Sequence, residues 1–546
     1  MTTPIKPNCA GAAVLDDAHI GHIQGAFGTI LQHDTSPRTN WKHRLRTLLA
    51  IMGPGLIVMV GDNDAGAFGT YTQAGQNYGT ALLWTLVLLI PVLYVNQEMV
   101  LRLGAVTGVG HARLIFERFG RFWGAFSVID LFLLNGLTIV TEFIGISLAL
   151  DYLGLSKPLG IALSAVLIMG AAGTGNFRRF ERFSMVLVAG SLVLVPIVFM
   201  VHPPLGQIAH DLVVPQLPKD GKISDVMLLI IAIVGTTIAP WQLFFQQSYV
   251  IDKRITPRFM KYERADLWIG IVLVVIGAVA MIAFAAATFA GKPGFGNFTD
   301  AGGVASGLEA YAGKLPGILF AIGLIDASLI GASAVSLSTA YAIGDCFSIR
   351  HSLHRGVSDA KGFYLVYAGL IVIAAGIVLT PGAPLGLLTN AVQTLAGVLL
   401  PSATVFLLLL CNDKAVLGPW ANTRTGNLFT GAVIALLVML SVILTVSVLF
   451  PDQTNEVVII GILVGGTVLA LVAAAASGVL LPTKAKATPV NTVAWNRDIW
   501  RMPALDTLPK PEMTRAAKLW MLVLRLYLVL AGGLVLIRIV ALAVSG

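Results

Sequence analysis

Charge is what this chain has least of. Asp, Glu, Lys and Arg together supply 12% of its 546 residues, where soluble globular domains carry about 25%. That shortfall excludes an ordinary water-soluble fold. Lys and Arg are missing from the deep part of every long apolar run, and all nine histidines fall in tails, loops or run ends. Cysteine is scarce too. Cys9, Cys346 and Cys411 make no disulfide framework and lie in or near segments read below as cytoplasmic, which suits a reducing compartment. No basic stretch followed by a short apolar core and a small-residue cleavage site opens the chain, so no signal peptide is expected. Loops are too short for a catalytic domain, and neither a His-Glu-x-x-His helix nor a nucleophile–base pair is present, so an enzyme is not expected.

What is present is apolar sequence in continuous runs, such as 82–93, 186–201 and 271–290. A helix needs roughly 20 apolar residues to cross the hydrocarbon core. Barrel strands would alternate over about 10 residues instead. The expected fold is therefore all-α and polytopic, with about thirteen spans at 49–71, 80–101, 123–150, 158–174, 183–201, 226–250, 266–290, 315–344, 363–380, 386–411, 428–450, 456–480 and 518–543. Residues 1–45 read as a cytoplasmic amino-terminal tail, poorly ordered to about residue 40, 46–201 and 226–411 as two five-helix units, 428–480 as two peripheral helices, 481–517 as a polar cytoplasmic linker and 518–546 as a terminal helix. The formal charge of +8 sits in alternate short loops, among them Arg102 to Arg121, Arg178 to Arg182 and Lys253 to Arg264. Such a bias sets orientation and places the amino terminus in the cytoplasm; it is no sign of nucleic acid. The surroundings implied are the lipid bilayer of the inner membrane, and no obligate protein partner is inferred.

Two spans look broken. The first carries Gly61-Asp62-Asn63-Asp64-Ala65-Gly66-Ala67 at mid-depth. A charge at the centre of a lone helix costs about 2.5–3.5 kcal/mol on insertion scales, and two close carboxylates repel. A bound cation relieves both costs. The sixth span carries Gly235-Thr236-Thr237-Ile238-Ala239-Pro240-Trp241, and proline removes a helix bond and clashes with the preceding turn. Breaks five spans apart match inverted-repeat carriers, where discontinuous helices hold substrate near the midplane. Further polar groups lie in other spans: Asp130 and Glu142 in the third, Asp326 mid-way along the eighth, Asn390 and Gln393 in the tenth. All the deep charges are acidic, which suits a cation. Without sulfur or imidazole at either break, an all-oxygen site favours Mg²⁺, Ca²⁺ or Mn²⁺.

Over residues 50–450 the chain resembles the natural resistance-associated macrophage protein (NRAMP) family of divalent metal transporters. The likeness rests on Gly53-Pro54-Gly55, on Arg102-Leu103-Gly104-Ala105-Val106-Thr107-Gly108, on Glu142-Phe143-Ile144-Gly145, and on Gln393 eight residues before Pro401. It implies the leucine-transporter fold, with ten core helices in two inverted repeats. The family's Asp-Pro-Gly-Asn motif becomes Asp64-Ala65-Gly66-Ala67 here, and its Met-Pro-His becomes Ala239-Pro240-Trp241. A second family His corresponds to Gln246, and a family Asp to Ile139. This combination is similar to the NRAMP-related magnesium transporters, a branch that carries partly hydrated Mg²⁺ as well as Mn²⁺ and is thought to lack proton coupling. The resemblance implies Asp64 as the central carboxylate, the carbonyls of Gly61 and Thr236 as ion ligands, and Gln393 as a ligand on occlusion. Ala65, Ala67, Ala239, Trp241, Glu142 and Asn390 then belong to the pathway or its gates. Asp62 and Asp326 are added as metal ligands from charge and depth. No cofactor is called for beyond the transported ion. The competing readings are a proton-coupled Mn²⁺/Fe²⁺ importer of the main family type and a sodium-coupled amino-acid or amine carrier on the same fold.

Overall fold

In the computed structural model, the described residues are 15–218, 222–382, 385–450, 453–480, 496–511, 521–534 and 537. Before the bundle stands a hairpin, β1 (Ile23–Gly25) paired antiparallel with β2 (Gly28–Ile30). Helix α1 (Trp41–Ile51) follows, and α2 (Pro54–Val60) and α3 (Ala65–Tyr78) make the first broken span. Then come α4 (Trp84–Thr107), α5 (His111–Phe119), α6 (Arg121–Tyr152), α7 (Lys157–Ala172), α8 (Phe177–Gly190), α9 (Leu194–Val201) and α10 (Leu205–Val213). The second broken span is α11 (Ile223–Thr237) with α12 (Pro240–Asp252). After it run α13 (Met260–Phe289), α14 (Ala301–Ala312), α15 (Lys314–Phe347), α16 (Lys361–Leu379), α17 (Leu385–Asn412), α18 (Lys414–Leu417), α19 (Arg424–Leu449) and α20 (Glu456–Leu480). A last apolar helix, α21, covers Met521–Leu534.

Among the described residues nine helices are long and apolar enough to cross a membrane, or ten if α1 and α2, bent by 54°, count as one span. The other expected spans fall on the broken α2–α3 pair and on shorter apolar helices over Lys157–Ala172, Glu456–Val472 and Met521–Leu534. The bundle wears its apolar residues outward as well as inward. Phe199, Leu365 and Val186 are 72%, 75% and 69% exposed, an arrangement that only a hydrocarbon solvent rewards.

The elements break where the sequence says they must. Pro54 and Pro240 each open a helix at its first turn, where proline's missing N–H costs nothing. Asp64 caps α3. The two broken spans cross: α2 packs on α12, α3 packs on α11, and α13 runs along both α2 and α3. Helices α6 and α15 form the most intimate pair behind them.

Three features differ from the sequence reading. Residues 15–30 pack on the bundle, with Ile23, Ala26 and Ile30 buried; residues 1–14 lie outside the described residues. Short helices α5, α10 and α14 interrupt loops that the 20-residue apolar window passes over. Lys253, read as part of a short basic loop, is fully buried in an ion pair with Glu181 at 2.6 Å.

Candidate functional site

At the first break the backbone changes its partners. In an α-helix the amide of Ala65 would donate to the carbonyl of Gly61, four residues back. It donates instead to Glu142 Oε2 of α6, at 3.2 Å. The Gly61 carbonyl thereby loses its helical donor. At the second break the amide that would bond the Thr236 carbonyl belongs to Pro240, which has no N–H. Helix α11 ends at Thr237 and α12 restarts at Pro240. Each break thus frees a carbonyl at membrane depth, where such a group needs another partner.

Between the breaks lies a cavity of about 60 Å³. Asp64 and Gly66 line it from the first break, and Gly235, Thr236, Ala239 and Trp241 from the second. Thr138 and Thr141 of α6 and Thr389 of α17 complete its polar wall. Asp64 is 7% exposed, and its Oδ1 accepts a hydrogen bond from the Ala67 amide at 2.9 Å. Among the described ion pairs it has none. The hydroxyls of Thr138 and Thr141 donate to carbonyls of their own helix, at 2.9 Å to Leu134 and 2.7 Å to Thr138. Their oxygen lone pairs are left as acceptors.

Glu142 stands beside Asp64, within hydrogen-bonding reach. It is fully buried, and its Oε1 has no hydrogen-bond partner. Gly331 of α15 makes the room: a methyl there would lie 2.8 Å from the Glu142 carboxyl carbon. Two carboxyls this close share a proton or a cation.

The structure gathers some of the residues named from the sequence and separates others. Asp64, Thr236, Ala239 and Trp241 share the cavity. Gly61 lies under the Trp241 ring, off the cavity wall. Ala65 packs against Gly145 of α6, and Ala67 contributes only its capping amide. Asp62 is turned away from the cavity: its Oδ1 accepts from Gln242 Nε2, and Gln242 Oε1 accepts from Gln97 of α4 at 2.9 Å. The backbone leaves the helix between them, with α2 ending at Val60 and α3 starting at Ala65, and Asp62 stands off the cavity wall that Asp64 lines. Asp326 is also separated. Ser328 and Gly331 face α6, while Asp326 abuts Gly190 of α8. Asn390 and Gln393 fall on α17, and their side chains lie outside the described residues; Thr389 and Val392 of the same turn line the cavity. Sequence reasoning missed Thr138, Thr141 and Thr389. The stretch Thr138-Ile139-Val140-Thr141-Glu142 held the signal for two of them, since i, i+3 hydroxyls share a helix face with each other. Among the described residues no three His, Cys, Asp or Glu side chains converge as a resident metal centre would require.

Two interrupted helices that cross around a small cavity walled in part by a buried carboxylate and threonine hydroxyls, inside an apolar bundle, are the architecture of a membrane carrier. The profile of the family described as natural resistance-associated macrophage protein-like (Nramp) matches residues 55–447, and the chain belongs to that family. Among curated relatives, a divalent metal cation transporter MntH from Burkholderia ambifaria is 27% identical over 421 residues, covering 73% of this chain and 88% of its own length. One from Ralstonia nicotianae is 28% identical over 399 residues, covering 69% and 86%. Among solved structures, the manganese transporter of Eremococcus coleocola, in complex with an aromatic bis-isothiourea substituted compound, superposes with a TM-score of 0.62 at 20% identity. That match covers 85% of this chain and 99% of the other, and it establishes the fold.

Proposed function

We propose that this protein carries divalent metal cations across the inner membrane by alternating access, taking Mg²⁺ and Mn²⁺ as partly hydrated ions without moving protons. Asp64 carries this reading. It is a buried carboxylate on a cavity whose other polar walls are hydroxyls and a freed carbonyl, with no sulfur or imidazole among the described lining residues. Oxygen donors suit hard cations, and Mg²⁺ keeps several of its waters. A water needs roughly 10–15 Å³ of such space, so the cavity holds an ion with part of its shell. Asp64 is the central ligand, and Thr236 offers its carbonyl. Ala239 leaves open the volume a larger side chain would fill, and Trp241 walls the path. The loop charges favour an amino terminus on the cytoplasmic side.

Asp64→Asn tests the site, because the amide oxygen can keep the capping bond to Ala67 while the charge is lost. Uptake in proteoliposomes should fall by about a hundredfold or more with the thermal midpoint retained; near-normal uptake would remove Asp64 from the site. A second reading, proton-coupled Mn²⁺/Fe²⁺ import, is favoured by the unpartnered Glu142 oxygen beside Asp64. Proteoliposomes holding a Mg²⁺ dye and a pH dye separate the two. Saturable Mg²⁺ entry with a steady internal pH supports the first. Mn²⁺ entry with acidification, and no Mg²⁺ entry, supports the second.

A further inference from the structure

A groove of about 750 Å³ runs between the amino-terminal hairpin and α8 and shares no lining residue with the ion cavity. Its two ends differ in chemistry. At one end are Arg178 and Arg182, over the hairpin backbone; at the other are Met185, Val186 and Ala189, one to two turns further along the same helix. These three begin the apolar run that continues through α9. Only 28% of that span's apolar window is covered by protein, so this wall of the groove opens to lipid. Phe27, at the tip of the hairpin, stands 55% exposed beside it.

The polar end has unspent cationic capacity. Arg178 donates through Nη2 to the Gly28 carbonyl at 3.2 Å and to the Thr29 hydroxyl, and its buried Nε has no partner. Arg182 donates its Nε to the Ala26 carbonyl at 3.0 Å and is otherwise exposed. Arg179 adds a third, exposed guanidinium on the next position. The one acid of this helix, Glu181, is buried and is spent on Lys253 and the Ala26 amide. A cationic mouth leading into an apolar trough that opens to the bilayer complements an amphiphile with an anionic head.

We propose that this groove binds one anionic phospholipid from the leaflet on the hairpin's side, its phosphate at Arg178 and Arg182 and an acyl chain along Met185, Val186 and Ala189. Basic side chains at a membrane surface attract anionic headgroups individually, and a planar guanidinium matches a phosphate through two parallel bonds. Because the same arginines bond the hairpin backbone, the lipid also braces the hairpin against α8.

The test uses the full chain in vesicles of phosphatidylcholine with added phosphatidylglycerol, followed by native mass spectrometry of the extracted protein. Retained phosphatidylglycerol should exceed phosphatidylcholine. The double variant Arg178→Gln, Arg182→Gln should lose that preference by about tenfold or more. Ala189→Trp, which blocks the trough and leaves both arginines, should lose it as well. Added phosphatidylglycerol should raise the thermal midpoint of the unaltered chain and not of either variant. The proposal is overturned if the unaltered chain shows no preference, or if the double variant keeps it. It is equally overturned if Ala189→Trp is without effect while inorganic phosphate displaces the lipid, for the groove would then be a simple anion site.

Discussion

Lys253→Met should destabilise the protein severely, and a second substitution should rescue it. The Lys253 ammonium is fully buried and makes three hydrogen bonds: to Glu181 Oε1 at 2.6 Å, to the Ile51 carbonyl at 2.6 Å and to the Met52 carbonyl at 2.9 Å. Glu263 and Asp266 of α13 lie close enough to feel its charge. Methionine matches lysine in length but offers no donor. The loss leaves Glu181 as an uncompensated buried charge and two carbonyls unbonded. Breaking one half of a buried ion pair costs about 3–5 kcal/mol, whereas replacing both halves by apolar groups of similar size is often near neutral. Thermal unfolding in detergent, read by intrinsic fluorescence, should therefore show a large drop for Lys253→Met. The double variant Lys253→Met, Glu181→Leu should regain about half of that drop or more. A double variant less stable than the single, by the sum of the two separate losses, would refute the coupling. A Lys253→Met protein as stable as the unaltered chain would refute the clamp itself.

Two further outcomes are open to direct measurement. Ala239→Met places a thioether at the cavity and should move the uptake ratio of Cd²⁺ to Mg²⁺ by about tenfold toward Cd²⁺, since soft sulfur favours the softer ion; competition assays with an unchanged ion ranking would refute it. His351, in the loop after α15, is buried, which pushes its pKa down, but Asp345 at 3.0 Å, the Ile349 carbonyl and Asp16 together outweigh this and raise it to about 9. A raised histidine adds stability that is fully present below its unfolded value of 6.5 and is lost as pH climbs through about 9. Asp345→Asn should flatten the dependence of the thermal midpoint on pH across that window; an unchanged slope would assign it to other groups.

The spans were legible because a bilayer asks only for length and apolarity, and the two breaks because Gly, Asp and Pro at membrane depth have few other uses. The freed carbonyl of Thr236 could be read directly, since Pro240 four residues on has no amide to give. That of Gly61 could not: its donor is diverted by Glu142, a tertiary contact made 77 residues along the chain. Charge and depth misled where direction mattered. Asp62 and Asp326 are acidic and deep, yet the first break directs one toward Gln242 and helix α15 directs the other toward Gly190. Lys253 misled in the opposite sense, because loop position says where a charge is in sequence and not whether Glu181 is folded over it. The packing of residues 15–30 was hidden for the same reason. Their partners, Arg178, Arg182, Arg254 and Arg355, come from distant loops and helix ends.

Helix α2 is bounded by a backbone break at each end. It is seven residues long, about 10 Å of rigid rod, with a bend of 54° at its start and the Gly61–Asp64 break at its end. The break frees its far end from helical bonding to α3. Its near end packs against α13 and is also tied by polar bonds: Lys253 to the Ile51 and Met52 carbonyls, and the Gly55 amide to Asp266 Oδ2 at 2.7 Å. Opening the cavity toward the hairpin side by swinging α2 must break these bonds, and each hydrogen bond to a charged group is worth about 1.5–3 kcal/mol. Gly53 sits in the joint, at a φ of 157°, and a methyl there would lie 2.3 Å from Glu181 Oε1 and 3.0 Å from Lys253 Nζ. Gly53→Ala should therefore wedge the pair apart, lowering the thermal midpoint by less than Lys253→Met does. It should also raise the reactivity of Ser248→Cys on α12 toward a water-soluble maleimide applied from the hairpin side. If the wedge lowers stability and leaves that reactivity unchanged, the clamp holds the fold together but does not gate the cavity.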